Sequence, residues 1–159
     1  MSGVGFGFVL MSVAVAVAPI AWAQPKVDFS GTWKLDEAKS GSAAGGERPR
    51  SGTLRIEQTD TELKVLASGD ATVTMIYRLD GSESVNKVGG GTVTSTATWD
   101  GPRLAVRNRW KFTLPQGDLT IDATDVYSIT KSVLTITSTR SLMPGSERAP
   151  TMTLVFTKQ

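Results

Sequence analysis

The chain is 159 residues long, carries 17 Lys and Arg against 15 Asp and Glu, and contains neither cysteine nor histidine. Disulfides, thiolate metal sites and cysteine acylation are thereby excluded, and the commonest metal ligand and general base at neutral pH are missing. With a net charge of +2 and enough chain for one core, stability must rest on burial and hydrogen bonding.

Residues 1–23 carry no charge, are rich in Val, Ala, Gly and Phe, and end in Ala21-Trp22-Ala23 before Gln24-Pro25. This is the pattern of an export signal with a small-x-small cleavage site, although its basic front end is missing and the first Lys is Lys26. Pro19 interrupts the apolar run, which barely reaches the roughly 20 residues a spanning helix needs. The expectation is a cleaved signal peptide over 1–23, no stable membrane anchor after cleavage, and a domain over 24–159 in the periplasm or outside the cell.

From Phe29 onward, short runs alternate apolar residues with Thr, Ser or charged ones and are separated by Gly, Asp, Asn or Pro. This period of two predicts strands over 29–35, 52–59, 62–67, 71–79, 84–87, 92–99, 103–112, 118–129, 133–142 and 151–157. Turns are expected around Asp60, Gly69, Asp80-Gly81, Asp100-Gly101, Pro115-Gln116-Gly117 and Lys131-Ser132, the Asp-Gly pairs being the strongest hairpin signals. The predicted fold class is all-β: an antiparallel up-and-down meander that closes into a small barrel of roughly 8 to 10 strands, because closure removes exposed edges. The alternative is a two-sheet β-sandwich, whose crossovers need long connections. Only one connection is long, SGSAAGGERPRS at 40–51, and it is too small and polar to form a core element.

Alternation carried through the tight turns places Ser95, Asn108, Asp125 and Arg140 on the inner face among apolar neighbours. A two-residue turn at Lys131-Ser132 sets Asp125 opposite Ser138 and diagonal to Arg140, with small Ala123 between Asn108 and Arg140. A buried charge left alone costs several kcal/mol, so Asp125 and Arg140 must pair or meet solvent. Two readings stand: a structural Asp125 and Arg140 pair, or a polar station that orients a small ligand among Tyr77, Trp110 and Tyr127.

On the outer face, Arg107, Arg109 and Lys111 form a basic row opposite Thr120, Asp122 and Thr124, which reads as a solvated charge ladder with Arg109 paired to Asp122. No nucleic-acid partner is expected, because the aromatics do not share that face. Ser84-Val85-Asn86-Lys87 and Ser128-Ile129-Thr130-Lys131 match Ser-x-x-Lys but lie in strands, where Lys cannot reach Ser through a helical turn. Gly89-Gly90-Gly91 is a hairpin turn and lacks the Lys and helix of a phosphate loop. Neither an enzyme activity nor a cofactor or metal is expected.

Phe29-Ser30-Gly31-Thr32-Trp33-Lys34-Leu35 resembles the first-strand signature of the calycins, the lipocalin, avidin and fatty-acid-binding barrels, and Trp99-Asp100-Gly101 is similar to their late tryptophan hairpin. The resemblance, which is to the bacterial secreted lipocalin-like proteins in particular, implies that Trp33 plugs one barrel end, that Gly31 lets neighbouring chain approach it, and that Arg140, if it pairs structurally with Asp125, crosses Trp33 as an arginine does in lipocalins. It also implies a lumen for a small apolar or amphipathic molecule, with the 40–51 loop as lid. The chain departs from fatty-acid-binding barrels at their carboxylate clamp. Leu154 and Phe156 stand where Arg and Tyr would, Asn108 stands at the other Arg, and a Gly-rich loop replaces the two capping helices. The expected function is that of an exported non-enzymatic binding protein with Tyr77, Asn108, Trp110, Asp125, Tyr127 and Arg140 at the ligand. The alternative is an envelope or extracellular structural or protein-interaction module with a filled barrel core.

Overall fold

The computed structural model describes residues 26–42, 52–69, 71–141 and 151–159, so the expected signal peptide at 1–23 and most of the expected lid at 40–51 lie outside the described residues. The strands are β1 (Gly31–Leu35), β2 (Gly41–Ser42), β3 (Thr53–Gln58), β4 (Glu62–Ser68), β5 (Thr72–Arg78) and β6 (Glu83–Val88). They continue as β7 (Gly91–Asp100), β8 (Arg103–Leu114), β9 (Gly117–Thr130), β10 (Val133–Ser141) and β11 (Met152–Lys158). All pairings are antiparallel, in the order β5-β4-β3-β1-β11-β10-β9-β8-β7-β6, with β2 added to β11. This is a nearly closed meander barrel with no helix among the described residues. It matches the expected class, apart from the two-residue β2, which is too short to leave a period in the sequence.

The long strands follow from their composition and turns. Thr, Val and Ile suit a half-buried pleated surface, and β7 runs as Gly-Thr-Val-Thr-Ser-Thr-Ala-Thr with every second residue buried. Gly101 (φ 58°) and Lys131 (φ 57°) take the left-handed conformation that tight hairpin turns require. Lys131-Ser132 is a two-residue turn, since Thr130 pairs with Val133, and the register it sets places Asp125 opposite Ser138 and Ala123 between Asn108 and Arg140.

Closure is incomplete. Asp80-Gly81 forms a turn in which Asp80 accepts hydrogen bonds from the Ser82 amide at 3.0 Å and hydroxyl at 2.5 Å. The strands on either side nevertheless splay apart, and β5 and β6 share no ladder. The Asn86 side chain spans the seam instead, accepting from the Ile76 amide at 2.8 Å and donating to the Ile76 carbonyl at 2.9 Å. One side-chain amide thus satisfies both backbone groups of a residue that would otherwise face an open edge.

Phe29 and Trp33 close one barrel end, and both are fully buried. Trp33 Nε1 donates to the Phe29 carbonyl at 2.9 Å. Trp99 stacks on Phe29 and Tyr127 meets it edge-on, each with ring centroids 6.0 Å away. Gln58 pins the incoming chain from both sides: its Oε1 accepts from the Phe29 amide and its Nε2 donates to the Val27 carbonyl, both at 2.9 Å. Gly31 has a specific task here. Its φ of 142° disfavours any side chain, and a Cβ would lie 2.9 Å from Lys158 Cε. Lys158 uses that gap to lay its stem past β1 and its ammonium 5.4 Å from the Trp33 ring centre. The cation over Trp33 is therefore Lys158 and not Arg140, because β11 pairs Lys158 directly with Trp33 while Arg140 sits near the far end of β10.

Candidate functional site

The inner face changes character along the barrel axis. Beyond the aromatic plug, Leu63, Leu104 and Leu134 fill the interior without gaps to solvent. Further on, where the inner residues shrink to Ala67 and Ser138, a cavity of about 180 Å3 opens. Leu54, Val65, Met75, Ile136 and Leu154 supply its apolar wall, and Tyr77, Asp125, Tyr127, Ser138 and Arg140 its polar groups. A second hollow of about 200 Å3 adjoins it, sharing Leu54, Ala67, Leu154 and Phe156 and reaching Leu35, Gly52 and Gly69 at the end opposite Trp33.

A chain of side-chain hydrogen bonds crosses the strands to reach this cavity. The Ser84 hydroxyl donates to the Ser95 carbonyl at 3.3 Å, the Ser95 hydroxyl to Asn108 Oδ1 at 2.7 Å, and Asn108 Nδ2 to Asp125 Oδ2 at 2.7 Å. Ser95 and Asn108 face each other across β7 and β8, and Asp125 and Ser138 across β9 and β10, so each step follows from the register. Burial pushes the Asp125 carboxyl above the usual carboxylate range, against the opposing pull of the Ser138 hydroxyl, the Arg140 charge and the Asn108 amide. Burial likewise raises the Tyr127 and Tyr77 phenols, and the Asp125 charge adds to both. The Ser138 hydroxyl is itself buried and lies against the Asp125 carboxyl, directly across β9 and β10.

Of the residues expected at a ligand, the structure brings Tyr77, Asp125, Tyr127 and Arg140 together on one cavity wall. Asn108 stands one layer back, holding Asp125. Trp110 does not line the cavity but stacks on Phe112 at 6.1 Å further along β8. Among the described residues no ion pair joins Asp125 to Arg140; Arg140 is exposed and acts on the carboxyl through space. Asp125 is instead held by neutral donors, so a contact pair is not what tethers it. Ser138 was visible in the alternation as the inner residue between Ile136 and Arg140, opposite Asp125.

A larger concavity, about 510 Å3, lies on the outer face of β7, β8 and β9. Arg109 meets Asp122 there through two contacts of 2.7 and 3.2 Å, flanked by Thr94, Thr96 and Thr124. It is a solvated groove floored by outward side chains, and exposed pairs of this kind add little to stability. The inner cavity is the better candidate for recognition, because there polar groups are held in a mainly apolar surround.

No protein-family model matches the chain, and no curated protein matches it. Solved structures do. Secretory abundant heat soluble protein 4 from Ramazzottius varieornatus is 14% identical, with 86% of this chain and 99% of that one covered and a TM-score of 0.59. Zebrafish ileal bile acid-binding protein complexed with cholic acid is 17% identical, with 82% and 98% covered and a TM-score of 0.58. A mutant of the fatty acid transporter REP1-NXSQ is 13% identical, with 82% and 97% covered and a TM-score of 0.52. At these identities the likeness is one of fold alone: an antiparallel β-barrel of the kind these proteins share.

Proposed function

We propose that the chain is an exported, non-enzymatic binding protein that holds a small amphipathic molecule inside the barrel. The apolar body would lie against Leu54, Met75 and Leu154, and the polar end at Asp125 and Arg140. The observation that carries this reading is the half-filled lumen: one end is sealed by Trp33 and Phe29, while the other keeps a cavity with the half-buried Asp125 carboxyl in its wall. Neighbours whose names record bile acid binding and fatty acid transport share the barrel, which supports a carrier without fixing the cargo. Export, to the periplasm or beyond the cell, and kinship with bacterial secreted lipocalin-like proteins rest on the leader-like residues 1–23 and the loop at 40–51.

A structural or protein-interaction module is the second reading. It is favoured by the size of the inner cavity, about 180 Å3, which is below the roughly 300 to 1,000 Å3 of most small-molecule sites. Native mass spectrometry of protein purified from its own host separates the two. A carrier retains a stoichiometric small-molecule adduct that is lost on denaturation, whereas a module flies as the bare chain.

A further inference from the structure

We propose that the inner face of the β8 and β9 hairpin is a further ligand subsite at the barrel mouth, and that it takes the alkyl tail of an amphiphile too long for the inner cavity. This rests on the carrier reading and adds to it where the tail lies. The hairpin outruns its neighbours. β7 begins at Gly91, opposite Phe112, and the last described residue of β10, Ser141, lies opposite Asp122. Residues 113–114 therefore have no partner in β7, and 117–121 none in the described part of β10. Along this ribbon the two faces separate. Arg109, Lys111, Thr113, Thr120 and Asp122 are exposed on the outside, whereas Trp110, Phe112, Leu114, Leu119 and Ile121 are half-buried on the inside. A two-stranded ribbon is marginally stable until its apolar face is covered. Of those five side chains, Trp110 alone packs against the core among the described residues.

The aromatic part of this lip is held in place. Trp110 and Phe112 stack with ring planes 16° apart, and Phe112 is seated on Gly91, where a Cβ would lie 2.5 Å from its ring. The lip also continues the cavity wall. Ala123 stands between Asn108 and Arg140, and Arg140 lines the cavity. At two residues per inward step, Trp110 and Ile121 follow about 7 Å further out, and Phe112 and Leu119 about 14 Å. β3 stands five places from β8 in the strand order, so the hollow beside Leu35 and Leu54 faces the lip across the mouth. The inner cavity, about 180 Å3, is small for an amphiphile, and a tail that leaves it past Arg140 meets apolar side chains rather than water.

Calorimetric titration with octanoate and dodecanoate below their critical micelle concentrations, and fluorescence with dodecanoate brominated at its terminal carbon, test the assignment. Wild-type protein is expected to bind dodecanoate about tenfold more tightly than octanoate, because the added methylenes are buried on the lip. Leu119→Ser, at the outer step, should weaken dodecanoate about tenfold and octanoate by less than about twofold. The brominated chain should quench tryptophan emission, and most of that quenching should vanish in Trp110→Phe while binding persists, since Trp33 and Trp99 lie at the sealed end. Undiminished quenching in Trp110→Phe, dodecanoate no tighter than octanoate, or Leu119→Ser without effect on dodecanoate overturns the subsite and leaves the carrier reading standing. Those are the results expected if the 40–51 segment or a second copy of the chain covers the lip. If neither acid binds, the carrier reading fails with it. Unchanged circular dichroism spectra and unfolding midpoints in both variants exclude misfolding as the source of any loss.

Discussion

Trp33→Ala is expected to cost about 3 to 5 kcal/mol of stability, the range for emptying a large aromatic site. The position magnifies the loss. Trp33 is 1% exposed and ties Phe29 down through its indole N–H, and Phe29 in turn carries the rings of Trp99 and Tyr127. Removing the indole leaves a hole in the barrel end, frees the Phe29 carbonyl and strips the surface on which Lys158 lies. Urea unfolding followed by circular dichroism measures the effect. A loss below about 1 kcal/mol would mean that the barrel end does not depend on this ring.

Asn108→Leu is expected to cost about 3 kcal/mol at neutral pH and clearly less at pH 4. The leucine has a similar shape, so the loss comes from two stranded partners, half-buried Asp125 deprived of its donor and buried Ser95 of its acceptor. The pH dependence follows from Asp125, whose carboxyl sits above its ordinary range in the folded barrel. Below the unfolded value the group is protonated in both states and needs no charged-state support. As pH rises, the unfolded chain ionises first, so the folded barrel loses stability until its own carboxyl has ionised. Without Asn108 that ionisation is harder and the penalty larger. Asp125→Asn should flatten the pH dependence and, combined with Asn108→Leu, recover much of the loss. Urea midpoints for the three variants between pH 4 and 8 decide the matter. An Asn108→Leu penalty that is the same at both ends of the range would show that Asp125 is not the group it supports.

The alternation of residues made much of this arrangement legible. Because side chains change face at every step, a correct two-residue turn at Lys131-Ser132 was enough to set Asp125 opposite Ser138 and to order Asn108, Ala123 and Arg140 across three strands. What the sequence could not show depends on how the sheet closes. Lys158 finds Trp33 only because the last strand returns to pair with the first, a register no local pattern encodes. Asp80-Gly81 has the residues of a hairpin turn, yet the strands beside it separate, and the residue that bridges them, Asn86, reads in sequence as one more polar strand position. Arg140 has the right parity for the lumen but lies where the barrel opens, so its charge meets solvent. Parity gives the face of a residue; depth along the axis comes from closure.

The central claim, that the lumen is a binding cavity, is tested most directly by filling it. Ala67 lies opposite Leu54 and Val73 on the inner face and borders both hollows. Ala67→Phe therefore occupies the space with apolar atoms, at a stability cost of about 1 to 3 kcal/mol, and leaves Asp125 and Ser138 in place. Native mass spectrometry of wild-type and Ala67→Phe protein, expressed and purified side by side from the original host, should show the small-molecule adduct on the first and at least a tenfold loss of it on the second, with both proteins folded. An adduct retained at the same occupancy by folded Ala67→Phe would place the ligand elsewhere and contradict the account.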